Sequence, residues 1–166
     1  LSAATPGAEP GTNIQLADYS GQIEAKWRCV KTVTCDASVG TYIIHSKLDD
    51  SKYISIEGAS RSIGGNCILS GSSTAKQMTV CSVMNGKYLI HPACSNYTLT
   101  AYGDIVNGSD VRQYKVTNAY RQMWTFHDEG NGYYSIRSSR DSSMALDITA
   151  AGTGEGTNVQ LYTYKD

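Results

Sequence analysis

Short segments of alternating apolar and polar residues run along most of this 166-residue chain. In the segments that begin at Tyr42, Tyr53 and Met144, branched or aliphatic side chains recur at every second position, and Gly, Ser, Asn and Asp fill the connections. A period of two places alternate side chains on opposite faces of a β-strand, whereas an amphipathic helix has a period near 3.6 residues. The pattern therefore predicts an all-β chain of short strands joined by polar turns.

The strand pattern itself repeats with a constant period. The segments YIIHS, YLIHP and YSIRS begin at Tyr42, Tyr88 and Tyr134, at intervals of 46 residues. The same interval separates Met78 from Trp124. A fixed period of this length is typical of one supersecondary unit used several times.

Each repeat is predicted to contain four strands. A Tyr-led strand is followed by one like the segment from Ala145, one like the segment from Asn158 and one like the segment from Gln122. This interpretation places all repeats in a single domain spanning residues 1–166. The predicted parts are a half-repeat at 1–30, repeats at 41–80 and 86–127, and a partial repeat at 132–166.

The two ends of the chain are nearly the same segment. GTNIQL begins at Gly11 and GTNVQL at Gly156, and the likeness extends outward with two residues inserted in the first copy. The fourth strand of the last repeat would lie beyond the final residue, and AKWRCV supplies a matching segment near the start, with Trp27 at the position of Trp124. We therefore expect the two ends to complete one repeat together. Because both ends carry the same strand, exchange of a terminus between molecules is an alternative, giving a domain-exchanged oligomer.

Three four-stranded units fit a closed barrel capped by hairpins, because closure removes open sheet edges. The segments resemble the ricin-type β-trefoil, a lectin family that also occurs as a carbohydrate-binding module. Its fourth strand carries Gln, any residue and Trp; QMW from Gln122 matches this motif fully, while AKW and KQM match it in part. The resemblance implies a β-trefoil in which Trp27, Met78 and Trp124 are equivalent core residues.

The charge and the hydropathy of the chain argue against two classes of partner, nucleic acid and the membrane interior. The formal net charge is −1 and no basic run interrupts the sequence, so we expect no binding of nucleic acid. No stretch reaches the roughly 18 to 20 apolar residues that span a bilayer, so we expect no membrane insertion. The resemblance to a carbohydrate-binding module implies that the chain is a module of a larger extracellular protein.

No catalytic residue, metal site or cofactor is expected. His45 and His91 occupy equivalent positions in two units, where the next unit has Arg137, and this arrangement indicates a repeated strand-end position. Metalloprotease, zinc-knuckle, phosphate-loop and nucleophile-elbow motifs do not occur in the sequence. The sequence therefore favours a binding protein over an enzyme.

The resemblance also implies a sugar site in the last unit. Family members build it from an Asp at the end of the second strand, a Gln thirteen residues later, an aromatic residue two further on, and a polar residue beyond. Here these are Asp147, Gln160, Tyr162 and Lys165, and Ala150 in the following turn completes the set. By resemblance, Asp147 accepts two sugar hydroxyls, Tyr162 stacks on the apolar face of the ring, and Gln160 and Lys165 support them. The implied ligand is a mono- or oligosaccharide of galactose or GalNAc type.

Two further residues are weaker candidates. The family has an Asn just before the fourth-strand Gln, and in the last unit that position would lie beyond the last residue. Glu24 is at the equivalent position in the N-terminal segment and is a candidate to replace the Asn. Tyr114 is at the aromatic position of the middle unit. The first two complete units are expected to carry Ser55 and Thr98 where the acidic residue is required. In the N-terminal copy that residue would precede the first position. At most one sugar site is therefore predicted.

Other functions stay open at this point. Asp147 can instead bind backbone amides of the turn that follows it, with Tyr162 covering the barrel. The chain would then be a structural or protein-interaction β-trefoil without sugar binding. A protease inhibitor would need a protruding reactive loop, and the insertion within 28–41 is short for that purpose.

Overall fold

The computed structural model describes residues 39–165 in full and, before them, the backbone of residues 2–3 and 14–15. The chain separates into two compact units, Leu1–Thr34 and Cys35–Asp166. In the first unit, strands β1 (Ser2–Ala3) and β2 (Ile14–Gln15) pair antiparallel. Trp27 and Glu24 lie outside the described residues, so their predicted roles stay predictions, as does the division into one half, two whole and one partial repeat.

Eleven strands occupy the described part of the second unit, joined by turns that include three short 3-10 turns. The strands are β3 (Gly40–Ile43), β4 (Tyr53–Ile56), β5 (Cys67–Ser70), β6 (Gln77–Met84), β7 (Lys87–Pro92), β8 (Thr98–Ala101), β9 (Ser109–Tyr114), β10 (Trp124–Asp128), β11 (Tyr134–Ser138), β12 (Met144–Ile148) and β13 (Val159–Thr163). The 3-10 turns are Glu57–Ala59, Tyr120–Gln122 and Thr149–Ala151. The predicted all-β class is confirmed.

The strands of residues 39–165 form three repeats, which are called the first (β3–β6), middle (β7–β10) and third (β11–β13) units from here on. Corresponding strands of these repeats pair in the same way. The first and fourth strands pair as β3 with β6 and β7 with β10, and successive units are joined by β6 with β7 and β10 with β11. The second and third strands form the hairpins β4–β5, β8–β9 and β12–β13. This is β-trefoil topology. Within residues 39–165, β11 has no fourth-strand partner that corresponds to β6 or β10.

Met78 and Trp124 occupy equivalent core positions. Tyr42 lies opposite Met78 and Tyr88 lies opposite Trp124 in their strand pairs, and both Met78 and Trp124 are fully buried. The indole Nε1 of Trp124 donates a hydrogen bond of 3.2 Å to the carbonyl of Leu99. The predicted equivalence of these two core residues is therefore confirmed.

Gln122 of the QMW motif is not in a strand. It ends the 3-10 turn that precedes β10, and its buried side chain holds the β9–β10 connection. The amide Nε2 donates to the carbonyl of Lys115 (2.6 Å), and Oε1 accepts from the backbone N–H of Thr117 (2.8 Å). The predicted fourth strand thus begins two residues later, at Trp124, because the side chain of Gln122 satisfies backbone groups that strand pairing would otherwise satisfy.

Hairpins of different units are held together by one carboxylate. Glu155, before β13, accepts hydrogen bonds from the hydroxyl of Ser70 and the backbone N–H of Gly71 (2.8 Å), and its Oε2 lies 3.3 Å from the ammonium of Lys52. Hydrogen bonding from Ser70, then from Gly71, lowers the pKa of Glu155 to about 2. This contact fixes the third-unit hairpin, which carries the candidate site, against the first unit.

Among the residues with described positions, no helix is both long and apolar enough to cross a membrane. His45 and His91 have equivalent structural roles, since Nδ1 of each ring lies within hydrogen-bond distance of a backbone carbonyl, that of Asp50 (2.7 Å) and that of Tyr97 (2.9 Å). Both therefore secure the loop that follows the first strand of their unit.

Candidate functional site

Asp147 and Gln160 form the centre of the candidate site. They lie directly opposite each other in the β12–β13 pair, and Nε2 of Gln160 donates a hydrogen bond of 3.0 Å to Oδ1 of Asp147. Gln160 is buried and Asp147 is half-buried. The bond orients the carboxylate, and its second oxygen accepts no hydrogen bond from any side chain or backbone group within residues 39–165. That oxygen can accept hydroxyl groups of a ligand.

Tyr162 provides an aromatic face beside this pair. It is two residues after Gln160 on β13, so both side chains lie on the same face of the hairpin. The side chain opposite Tyr162 is the methyl group of Ala145, and the tyrosine is 41% exposed. An exposed ring next to a carboxylate suits a pyranose, which has an apolar face and hydroxyl groups at its edge.

The turn after β12 has an unusual backbone. Ala150 and Ala151 have φ angles of 53° and 51°, in the left-handed region, and the first-unit turn has Gly58 and Ala59 at the same positions, with φ of 58° and 50°. Non-glycine residues in this region cost about 1 kcal/mol each. The turn closes through a hydrogen bond from the N–H of Gly152 to a backbone carbonyl and not through Asp147. Asp147 accepts a hydrogen bond from Gln160, and among the described residues no backbone amide of this turn donates to it.

An open cavity of about 1470 Å³ borders the candidate site. It lies between β3 and β11, and Asp147, Tyr162 and Lys165 line one side of it. Tyr42 of β3 and Tyr134 of β11 are 37% and 42% exposed. Their equivalent Tyr88, which has β6 on one side and β10 on the other, is 2% exposed. The cavity therefore lies where the trefoil pattern places the fourth strand of the third unit.

The predicted site residues are thus only partly brought together. Asp147, Gln160 and Tyr162 are adjacent on one hairpin, and the exposed Lys165 lines the same cavity. Ala150 is exposed on the following turn and does not line that cavity, and Tyr114 is on the β9 strand of another unit. Whether any of these residues binds a ligand stays a prediction.

The hairpin register identifies the equivalent residues of the other units. Asp147 opposes Gln160, Thr100 opposes Arg112, and Ser55 opposes Ile68. The residue at the acidic position of the middle unit is therefore Thr100, so the predicted Thr98 was wrong by two positions.

The N-terminal pair has the same register as the third unit. Ser2 lies opposite Gln15, a separation of thirteen residues, as between Asp147 and Gln160. The first copy therefore needs no two-residue insertion, and Ser2 occupies the acidic position that was predicted to precede the chain. The acidic residue is absent from this copy because serine replaces it.

Tyr164 was not predicted from the sequence to be a residue of the cavity. Tyr164 lines the cavity, and the guanidinium carbon of Arg137 lies 3.8 Å from the centre of its ring. Glu129 accepts hydrogen bonds from the hydroxyl of Ser135 (2.6 Å) and from Nη2 of Arg137 (3.1 Å). Hydrogen bonds from Ser135, then Tyr164 and Arg137, lower the pKa of Glu129 to about 2. Arg137 is 27 residues from Tyr164 in the sequence, so only the tertiary structure revealed the contact between these two side chains.

Comparison with known proteins places this geometry in a family. The profile described as "Ricin-type beta-trefoil lectin domain-like" matches residues 68–162, which is more than half of the chain. A search of curated proteins gave no significant match.

Three solved structures illustrate the likeness. The designed three-fold symmetric protein ThreeFoil has 29% sequence identity and a TM-score of 0.72, covering 76% of this chain and 91% of its own. An exo-β-1,3-galactanase from Clostridium thermocellum, 1,3Gal43A, has 21% identity and a TM-score of 0.70, covering 79% of this chain and 28% of its own. The C-half of an earthworm R-type lectin in complex with GalNAc has 18% identity and a TM-score of 0.57, covering 76% and 90%. With the family profile and the observed topology in agreement, the chain belongs to the ricin-type β-trefoil lectin domain-like family.

Proposed function

We propose that this chain is a non-catalytic carbohydrate-binding domain that binds a galactose- or GalNAc-type sugar at Asp147, Gln160 and Tyr162. The observation that carries the proposal is the 3.0 Å hydrogen bond that orients Asp147 beside the exposed ring of Tyr162. Membership of a lectin-like family and the likeness to an earthworm lectin bound to GalNAc support carbohydrate binding in general. They also favour a binding domain over an enzyme.

The proposed binding step uses three groups with different chemistry. The carboxylate of Asp147 accepts hydrogen bonds from two neighbouring hydroxyls, and the ring of Tyr162 covers the apolar face of the sugar. Gln160 holds the carboxylate in place and retains one N–H that can donate to a sugar oxygen. Lys165 adds a donor at the outer edge. A single shallow site of this kind binds with a Kd in the millimolar to micromolar range, about 4 to 8 kcal/mol.

Calorimetric titration with methyl β-galactoside tests the site. The purified chain is expected to bind this ligand, and Asp147→Asn, which keeps the shape of the side chain and removes its charge, is expected to abolish measurable binding. Glu57→Gln is the matched control, because Glu57 is an exposed carboxylate in the first-unit turn. If Asp147→Asn binds the galactoside as tightly as the unmodified chain, the proposed site is wrong.

A structural or protein-interaction domain without sugar binding is the second candidate. It is favoured by the hairpin register, which places Ser55 and Thr100 where the third unit has Asp147. Absence of retention on both galactose and GalNAc resins by a chain with a cooperative thermal transition would favour this candidate over the first.

The same proposal includes a larger extracellular protein as the context. The larger size, and not the location, is supported by the galactanase from Clostridium thermocellum, of whose length the matched part is 28%. An antibody raised against the chain is expected to detect a secreted polypeptide larger than 17.9 kDa. Detection only inside cells would contradict this part of the proposal.

We also propose that molecules of this chain can exchange a terminal segment. The support is the near-identity of the segments from Gly11 and Gly156, together with the position between β3 and β11 that no strand of residues 39–165 fills. Residues 25–30, the predicted source of a fourth strand, lie outside the described residues. Light scattering across a concentration series is expected to show a dimer or larger species, and a monomer at every concentration would exclude exchange.

A further inference from the structure

The middle unit carries a second exposed aromatic cluster, away from the Asp147 hairpin. Tyr102 and Tyr114 are 48% and 37% exposed, and their ring centres are 6.2 Å apart at an interplanar angle of 54°. The guanidinium carbon of Arg112 lies 4.8 Å from the centre of the Tyr102 ring. Arg112 and Tyr114 are two residues apart on β9, so their side chains share one face of the hairpin. We call these three residues the Arg112 cluster.

The strand register relates this cluster to the candidate galactose site. Tyr114 occupies the position of Tyr162, and Arg112 occupies that of Gln160. At the position of Asp147 the middle unit has Thr100, which is buried and whose hydroxyl donates to the carbonyl of Thr98 (3.1 Å). The middle unit therefore keeps the aromatic residue of the third unit, has threonine in place of the aspartate, and has arginine in place of the glutamine.

The charges around the cluster leave room for an anion. Nη2 of Arg112 donates to Oδ2 of Asp110 at 2.7 Å, and the other oxygen of Asp110 accepts from Nδ2 of Asn158 at 3.1 Å. The Arg112 side chain is 36% exposed, and its buried Nε has no hydrogen-bond partner among the described residues. An arginine has five N–H donors, and one ion pair uses only part of them.

A second guanidinium lies at the adjoining turn. Nη1 of Arg121 donates to the carbonyl of Gly103, the residue after Tyr102, at 2.9 Å. Asp104 and Lys115, which flank the cluster in the sequence, have opposite charges, and Asp110 offsets Arg112. The five charged side chains named here, three basic and two acidic, therefore have a net charge of +1.

From this arrangement we infer that the Arg112 cluster binds a sugar that carries a carboxylate or sulfate group. The planar guanidinium of Arg112 pairs with the anionic group, and Tyr102 and Tyr114 contact the apolar face of the ring. A neutral hexose lacks the group that Arg112 recognises, and both oxygens of the nearby Asp110 already accept hydrogen bonds, from Arg112 and from Asn158. This inference uses none of the residues of the proposed galactose site and does not depend on it.

Two ligands that differ only at C6 separate the sites. In two-dimensional NMR titrations of the ¹⁵N-labelled chain, methyl α-galacturonide is expected to shift the amide signals of Tyr102, Arg112 and Tyr114. Methyl α-galactoside, which has a hydroxymethyl group in place of the carboxylate, is expected to leave those signals unchanged. Shifts from both ligands, or shifts from neither, at these three amides would overturn the inference.

Variants then test the contact with the anion. Arg112→Gln places the third-unit residue in the middle unit and is expected to weaken binding of galacturonide by about tenfold or more, because a charge-assisted hydrogen bond is lost. Tyr114→Ala, on an exposed ring, is expected to weaken it as well. Arg140→Gln removes the same charge from an exposed position of the third unit and should leave the affinity unchanged.

The outcomes distinguish this inference from the proposed function. Binding of galacturonide that survives Asp147→Asn and fails in Arg112→Gln supports the Arg112 cluster, even if the galactoside does not bind at all. Unchanged affinity in both Arg112→Gln and Tyr114→Ala, with thermal transitions like that of the unmodified chain, would overturn it. Raising the salt concentration should weaken binding, since the guanidinium is partly exposed to screening ions.

Discussion

Gln160 and Asp147 are joined across the β12–β13 hairpin by a hydrogen bond of 3.0 Å from Nε2 to Oδ1. The donor is buried and the acceptor is half-buried, so the bond holds the carboxylate in one orientation at the edge of the hairpin. Gln160 thus acts on a ligand mainly through the position of Asp147, and removing its amide should disturb binding without removing the charge.

Gln160→Leu is therefore expected to weaken galactoside binding by about tenfold and to lower the free energy of unfolding by about 1 kcal/mol, the contribution of a typical hydrogen bond. Calorimetry and urea unfolding measure the two effects. Gln77→Leu, at an exposed position of β6, is the matched control and should change neither quantity by much. Full affinity in Gln160→Leu would show that the hydrogen bond does not position the carboxylate.

Trp124→Ala should destabilise the domain strongly. The indole is fully buried in the barrel core and donates to the carbonyl of Leu99, so truncation leaves a large cavity and an unpaired acceptor. The expected loss is roughly 3 to 5 kcal/mol in urea unfolding. Tyr120→Ala, an exposed aromatic residue before the same strand, should cost about 1 kcal/mol or less. Similar losses in the two variants would contradict the assigned core position of Trp124.

The Glu155 contact predicts a loss of stability in acid. The pKa of Glu155 is about 2 in the folded chain, against 4.5 for the ordinary group, chiefly because of the hydrogen bond from Ser70. A lowered pKa means that the stabilisation is complete above pH 4.5 and is lost as the pH falls towards 2. Thermal melts between pH 6 and pH 2 should show a falling Tm, with a shallower fall in Glu155→Gln. Glu129, whose pKa is also about 2, accounts for part of the remaining slope. An unchanged slope in Glu155→Gln would rule out this contact as a source.

Gly65 lies where two hairpins approach closely. A Cβ atom there would be 2.7 Å from Nε2 of Gln113 and 3.2 Å from a methyl carbon of Ile56. Gly65→Ala should therefore destabilise the chain by about 1 to 3 kcal/mol, as overpacking does. Gly154→Ala is the control, because its Cβ would meet Thr157 at an ordinary 3.6 Å. Urea unfolding measures both, and an equal effect of the two substitutions would contradict the close approach.

The repeated strands could be predicted because their signals are local. Alternation of side chains and the 46-residue interval are properties of consecutive residues, and β3, β7 and β11 begin at or close to Tyr42, Tyr88 and Tyr134, as the pattern indicates. The hairpin register of the middle unit was predicted wrongly for a definite reason. All four residues of β8 are buried, and a shift of two residues leaves every side chain on the same face, so Thr98 and Thr100 are equivalent in the pattern. Only the pairing of Thr100 with Arg112 distinguishes them.

By itself, the sequence determined the all-β class, the repeat period and the spacing of Asp147, Gln160 and Tyr162. Each of these is a property of the order of residues along the chain. Tertiary structure alone decided that Gln160 donates to Asp147, that the cavity opens between β3 and β11, and that Arg112 lies over the ring of Tyr102. These contacts depend on which strands pair and how hairpins pack. Such pairing joins residues far apart in the sequence, and its energy comes from burial and hydrogen bonding across the whole domain, which no short segment contains.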